Sequence, residues 1–196
     1  MNPGFQLSVD VRGRLCLVIG GDEEAAEKVQ RLLDAGARVT VIHPTLHAVL
    51  RKLTASGRII HRGRTFRSTD VQSGVALVLN TLRHDYELAK QLYELAKTER
   101  FLLWSMDHPE FSNVMMPALV NRGHLRVAIS TSGASPALAK LLREQLEGVF
   151  DDEFVEWLAS LAALREDLRR TEVSDVRRRE RLEEAVQGFR ISAHLD

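Results

Sequence analysis

The chain has 196 residues, 44% hydrophobic and 28% charged, enough apolar material for a core and too little bias for a disordered chain. Lys+Arg and Asp+Glu both total 27, so the net charge is zero and no overall field attracts nucleic acid or an anionic membrane. The one cysteine, Cys16, excludes an internal disulfide framework and a cysteine-cluster metal site.

The chain opens MNPGFQLSVDVRGR, without the apolar stretch of a signal peptide, and no run of about 18 apolar residues follows. A soluble cytoplasmic protein is expected. Leu15–Ile19, a β-branched apolar run closed by Gly20-Gly21, reads as a buried parallel strand. Residues 23–35 carry Ala25, Ala26, Val29, Leu32 and Leu33 at helical spacing, and Gly36 stops the helix. Arg38–Ile42 is the next strand. Strand, glycine turn, helix and strand within about 30 residues make a βαβ unit.

The alternation continues with a helix over 47–56, a short strand over 58–61 and an apolar strand over 75–80. A helix over 86–98 and a strand over 101–104 follow. This order predicts an α/β fold, a Rossmann-like doubly wound parallel sheet ending near residue 110. Beyond it, 115–120 and 125–130 read as two strands joined at Asn121-Arg122-Gly123. Ser135 and Pro136 are the N-cap and first position of a long helix. Residues 151–195 read as helical and charged, with Arg177-Arg178-Arg179 interleaved among acids as a solvated face rather than a nucleic-acid site.

In a dinucleotide fold the pyrophosphate rests on the first helix N-terminus, above Gly-x-Gly-x-x-Gly/Ala. The aligned stretch here is Gly20-Gly21-Asp22-Glu23-Glu24-Ala25. The first Gly and the final Ala are present, but Asp22 stands where the backbone approaches phosphate, with Glu23 and Glu24 behind it. Acids at a helix start are equally ordinary caps and dipole partners. The ribose-binding acid expected at the end of the second strand is replaced by His43.

VIGGDEEAAEKVQRLLDAGARVTVIHP, followed by WSMDHPEFSNVMMPALVNRGHLRVAISTSGASPALAKLLREQLE, resembles the precorrin-2 dehydrogenase/sirohydrochlorin ferrochelatase family. That family is also the N-terminal module of sirohaem synthases. The resemblance covers roughly 5–150 and implies three regions: a dinucleotide-binding domain over 1–112, a small α+β dimerisation and substrate domain over 113–148, and a helical C-terminal region over 149–196. It implies a homodimer that oxidises the tetrapyrrole precorrin-2 to sirohydrochlorin with NAD. In some members the same cleft inserts Fe2+, so iron is a second candidate substrate.

The family's catalytic aspartate falls on Asp107, a carboxylate just beyond a strand end that can accept the protons both reactions release. On residue type alone, Asp107 before His108-Pro109 is equally a turn former. The resemblance further places His108, Asn113, Met116, Ser130, Ser132, Gly133 and Ser135 toward the substrate. Arg122, His124, Arg126 and Lys140 are the nearby cations for its carboxylates. No metal-ligand spacing is present.

The departures from the family cluster in the dinucleotide half. Its Gly-Gly-Gly turn is Gly20-Gly21-Asp22, and its Ala-Ala-Thr-Asp-Asp segment is replaced by Asn80-Thr81-Leu82-Arg83-His84-Asp85. In the serine turn a usual glycine is Ser132. Two expectations compete: Arg83 or His84 pairs with Asp22 or with phosphate, preserving a weakened NAD site along Thr81 and His43, or NAD binding is lost and the chain is a tetrapyrrole chelatase, carrier or silent partner subunit.

Overall fold

The computed structural model describes residues 5–72 and 74–192. Leu15–Ile19 forms β1, whose side chains divide by parity, as a strand buried on both faces requires. Cys16 and Val18 enter one apolar cluster with Val39 and Val41 of β2 (Arg38–Ile42). Leu17 and Ile19 enter another with Val78 of β4 (Leu77–Asn80) and Leu103 of β5 (Leu102–Ser105). The short strand β3 (Ile60–Arg62) completes a five-stranded sheet ordered β3-β2-β1-β4-β5, with every neighbouring pair parallel.

Helices α1 (Glu23–Asp34) and α2 (Ala48–Ala55) cover the first cluster with Ala25, Val29, Leu32, Leu50 and Leu53. Helix α3 (Tyr86–Glu99) covers the second with Leu92 and Ala96. The chain winds outward through β2 and β3, then returns to lay β4 on the other side of β1. Between β1 and β4 lies the topological switch, where open α/β sheets bind ligands beyond their carboxyl ends. The predicted Rossmann-like fold is observed.

Strand β3 starts later than the expected residue 58. Gly57 adopts φ +70 and the Arg58 amide donates to Leu53 O at 3.0 Å, so Arg58 closes α2 instead of opening the strand.

The described chain gathers into two compact units, divided between Met116 and Pro117. The second holds the antiparallel pair β6 (Ala118–Arg122) and β7 (Leu125–Ile129), then α4 (Pro136–Val149), α5 (Asp152–Thr171) and α6 (Asp175–Glu184). The hairpin turn is Gly123-His124, not the expected 121–123: Asn121 and Arg122 pair with Arg126 and Leu125 inside the ladder. Gly123 supplies φ +53 there, and a Cβ on it would lie 2.9 Å from Val155 of α5. Ser135, Asp151 and Ser174 each cap the following helix with a side-chain oxygen. The expected helical stretch over 151–195 is therefore two helices broken at Ser174, and its last residues lie outside the described range. The aromatic rings of Phe150, Phe154, Trp157 and Phe189 pack together with centroids 4.7–6.5 Å apart.

Candidate active site at the switch point

The glycine turn at the end of β1 is held so tightly that only glycine fits. Gly20 has φ +137, and a Cβ there would lie 2.0 Å from Thr81 Oγ1. On Gly21 a Cβ would meet Thr45 O at 2.0 Å and His43 Nδ1 at 2.6 Å. His43 folds back toward the turn, with Nδ1 2.6 Å from Thr45 O, and the His47 amide donates to Gly21 O at 2.6 Å. Thr81 is buried against the turn and its amide donates to Ile19 O at 2.9 Å.

Asp22 is the N-cap of α1: its carboxylate accepts the Ala25 amide at 2.9 Å. Glu24 turns to Lys28 one turn later, Oε1 to Nζ 2.6 Å, and that buried ammonium also lies 5.4 Å from the Trp104 ring centroid. Two of the three acids thus have partners within their own helix, and Glu23 stays exposed. Ala25 is fully buried, the close helix–strand contact that the last position of the fingerprint demands.

Two clefts open at this edge of the sheet. One of about 680 Å³ is lined by Asp22, Thr81, Leu82, Arg83, His84 and Asp85. Another of about 550 Å³ shares Leu82 and Asp85 with it and mixes apolar Ile19, Ile42, Phe66 and Leu88 with polar His43, Glu87 and Gln91. A polar channel beside a helix N-terminus, next to a cleft with an apolar floor and polar rim, suits the pyrophosphate and the adenine of a dinucleotide. The residues present therefore fit NAD, with the Asp22 carboxylate competing for one first-turn amide.

Arg83 does not pair with Asp22, as one sequence-based expectation had it. Its Nε lies 3.9 Å from Asp107 Oδ2, the carboxylate just past β5. Asp107 is exposed and adopts φ +60, a left-handed conformation that Asp tolerates better than most residues. His108 has its Nε2 2.9 Å from Arg83 O and its Nδ1 3.4 Å from Glu110 Oε1, and its ring meets Tyr86 and Phe111. Both ring nitrogens therefore have protein partners.

Asn113, expected toward the substrate, is a bracket on β5. Its Oδ1 accepts the Leu103 amide at 2.6 Å and its Nδ2 donates to Phe101 O at 3.0 Å. Met116, expected in the same role, packs against the first apolar cluster. Asn113 is drawn in because β5 is the sheet edge and the returning chain satisfies its free amide and carbonyl groups, whereas Met116 is drawn in by burial of its apolar side chain.

In the second unit, Ser130 to Ser135 form a self-bonded turn. Ser130 Oγ accepts the Ser132 amide at 3.2 Å, Thr131 Oγ1 accepts the Ser135 amide at 3.1 Å, and Ser135 caps α4. Ser132 and Gly133 have φ +52 and +84. Ser132 thus holds, with a side chain, a backbone that glycine adopts without strain. Among the candidate cations, Arg122 donates to Glu147 O, Arg126 to Gly123 O, and Lys140 lies 3.9 Å from Glu144. His124 sits in the hairpin turn. Arg178 and Arg179 of the basic run pair with Asp175 and Glu183.

Sequence reasoning missed the knot around Asp70, whose buried carboxylate receives Arg62, Arg64 and the Arg67 amide. These donors hold its pKa down at about 2, chiefly through the Arg64 guanidinium. Burial pushes the Cys16 thiol up to about 11, so it stays protonated in the core. No group of three His, Cys, Asp or Glu among the described residues could hold a metal, and no described helix is long and apolar enough to cross a membrane.

A family model described as putative NAD(P)-binding matches residues 7–118, and one described as sirohaem biosynthesis protein central matches 122–148. A sirohaem synthase of Nitrosococcus oceani is 39% identical over 139 residues, covering 71% of this chain and 29% of the relative. A precorrin-2 dehydrogenase of Priestia megaterium is 29% identical over 189 residues, covering 96% of this chain and 92% of the relative. The solved structure of SirC, a precorrin-2 dehydrogenase, matches with a TM-score of 0.78 and 26% identity over 94% of this chain and 90% of that one. The chain spans 29% to 38% of the length of the first two sirohaem synthases it matches. With its glycine turn, switch-point clefts and loop carboxylate in place, this chain belongs to the NAD(P)-binding family shared by precorrin-2 dehydrogenases and the N-terminal part of sirohaem synthases.

Proposed function

We propose that the chain oxidises precorrin-2 to sirohydrochlorin in cytoplasmic sirohaem biosynthesis, with NAD as oxidant and Asp107 as proton acceptor. The observation that carries this reading is the position of the glycine turn past β1 and of Asp107 past β5 at one edge of one sheet, with Arg83, in the turn after the intervening β4, 3.9 Å from Asp107. When bound, NAD supplies the acceptor for the hydride. The chain's part is to hold the cofactor, which Gly20, Gly21 and the α1 amides would seat beside the cleft that Ile42 and Leu88 line, and to take up the proton that leaves with the hydride. An exposed carboxylate on a fixed loop can accept that proton and pass it to water.

The serine turn Ser130–Ser135 is assigned to the substrate's carboxylates through its hydroxyl groups, whose protons stay available while their oxygens accept amides within the turn. His108, Asn113 and Met116 are assigned supporting roles, since each is already engaged with the protein. A homodimer is part of the same reading, supported by the thin core of the second unit. The dehydrogenase test is anaerobic turnover of precorrin-2 with NAD, followed by the spectra of NADH and sirohydrochlorin. Asp107→Asn is expected to lower turnover at least about 100-fold while NAD binding persists. Wild-type turnover in that variant would overturn the assignment.

A second reading rests on the Asp22 cap, which weakens the cofactor site but leaves Asp107 untouched. In it the chain inserts Fe2+ into sirohydrochlorin, with Asp107 removing pyrrole protons. Metal insertion without NAD, together with no turnover of precorrin-2, would favour it.

A further inference from the structure

We propose that Arg83 is the positioning residue for the Asp107 carboxylate, an inference that rests on the reading of Asp107 as proton acceptor. Three consecutive residues after β5 each meet Arg83. Its Nη2 lies 3.7 Å from Met106 Sδ, its Nε lies 3.9 Å from Asp107 Oδ2, and its carbonyl accepts from His108 Nε2 at 2.9 Å. Asp107 makes no hydrogen bond among the described residues. Arg83 is the one basic side chain among them within ion-pair distance of its carboxylate; the neighbouring His84 is not.

The segment carrying Arg83 is a fixed post. Thr81 donates to Ile19 O at 2.9 Å, Leu82 to Asn80 Oδ1 at 3.1 Å and Arg83 to Thr81 O at 3.0 Å. Asp85 then caps α3 through the Leu88 amide at 3.0 Å. On the other side, His108 is a strut: its ring is mostly buried against Tyr86 and Phe111, and one nitrogen reaches the Arg83 carbonyl. A carboxylate at φ +60 on an exposed loop would otherwise sample many orientations. A guanidinium anchored at its own backbone narrows them and keeps the acid at the edge of the cofactor cleft that Arg83 also lines. Arg83 thus couples the two halves of the site, and it does so without touching the reacting atoms.

The test compares wild type with Arg83→Ala, Arg83→Lys and Asp107→Asn in anaerobic precorrin-2 turnover, with NAD binding measured separately by tryptophan fluorescence. Arg83→Ala is expected to lose about tenfold in kcat at saturating NAD, with KM for precorrin-2 within about twofold of wild type and any loss of NAD affinity, from its place in the cleft wall, read separately. Added guanidinium ion at millimolar concentration should recover part of the loss in Arg83→Ala and none in Asp107→Asn. Arg83→Lys should retain an intermediate kcat, because the charge remains and the planar fork is lost. An unchanged kcat in Arg83→Ala, or a defect confined to KM or NAD affinity, overturns the positioning role. The Asp107→Asn arm separates the two ideas. A dead Asp107→Asn beside an unaffected Arg83→Ala removes only the role of Arg83, whereas a fully active Asp107→Asn removes the proton-acceptor reading and Arg83's role with it.

Discussion

The two units of this chain reach order by different means. In the first, each inner strand buries residues on both faces, and two apolar clusters hold the sheet between helices. In the second, Val120, Ala139, Phe150 and Leu168 are the buried apolar residues among those described, while Leu138, Leu141, Val149, Val173, Val176 and Val186 are exposed. An isolated two-stranded hairpin is marginal in water, and its helices supply little core. The first unit can place a ligand at atomic precision because its frame is over-determined. The second presents apolar surface that a partner would cover, which is the physical basis for the proposed homodimer.

That contrast can be broken most strongly at the second unit. If a second copy completes its core, Leu138→Glu with Leu141→Glu should yield monomers in sedimentation and make the α-helical signal melt in a separate, earlier transition, while the sheet unit still binds NAD. A monomeric wild type with one melting transition that does not depend on concentration would break the comparison.

In the first unit the largest single effect on stability is expected at Asp70. Asp70→Asn removes the charge and one of the two oxygens that the arginines hold, and should cost about 2–3 kcal/mol, read by urea unfolding at neutral pH. Because the native pKa of about 2 lies below the ordinary carboxylate value of 3.8, this stability is fully present above pH ~4 and fades as pH falls through 2. The variant's unfolding should therefore lose that part of the acid dependence.

Smaller effects sharpen the comparison at the two strained or crowded turns. Asp22→Gly removes a carboxylate from beside the phosphate channel at the cost of a cap worth a few tenths of a kcal/mol, and should tighten NAD about tenfold by titration calorimetry. No change would mean that the cap already neutralises this acid. Ser132→Gly relieves φ +52 and should raise stability by about 0.5–1 kcal/mol in thermal melts, with any loss of tetrapyrrole affinity reporting a role for its hydroxyl.

Much of the first unit was legible in the chain because its information is local. Residues 15–19 and 38–42 are apolar runs closed by glycine or His-Pro, and the helix between them shows its face by spacing, so β1, α1 and β2 needed no tertiary knowledge. The Ser135-Pro136 start of α4 is equally local. The hairpin turn was misplaced because Asn and Arg are acceptable at both turn and strand-end positions, and only cross-strand pairing decides between them. Glu24 and Lys28 sit four apart on a helix, so their pairing was readable in principle; the direction of Asp22 was not, since cap and phosphate neighbour share one residue type.

The sequence by itself determined the fold class and the glycine turn, because periodicity and short motifs act over a few residues, while Asp107 was singled out by the family resemblance. Only the tertiary structure decided what those groups face. His108 meets the Arg83 carbonyl across 25 residues of chain, and the Thr81 hydroxyl reaches the Ile19 carbonyl across 62. No spacing rule encodes such pairs: they exist because a parallel sheet brings the carboxyl ends of distant strands to one edge, where loops must satisfy one another's polar groups.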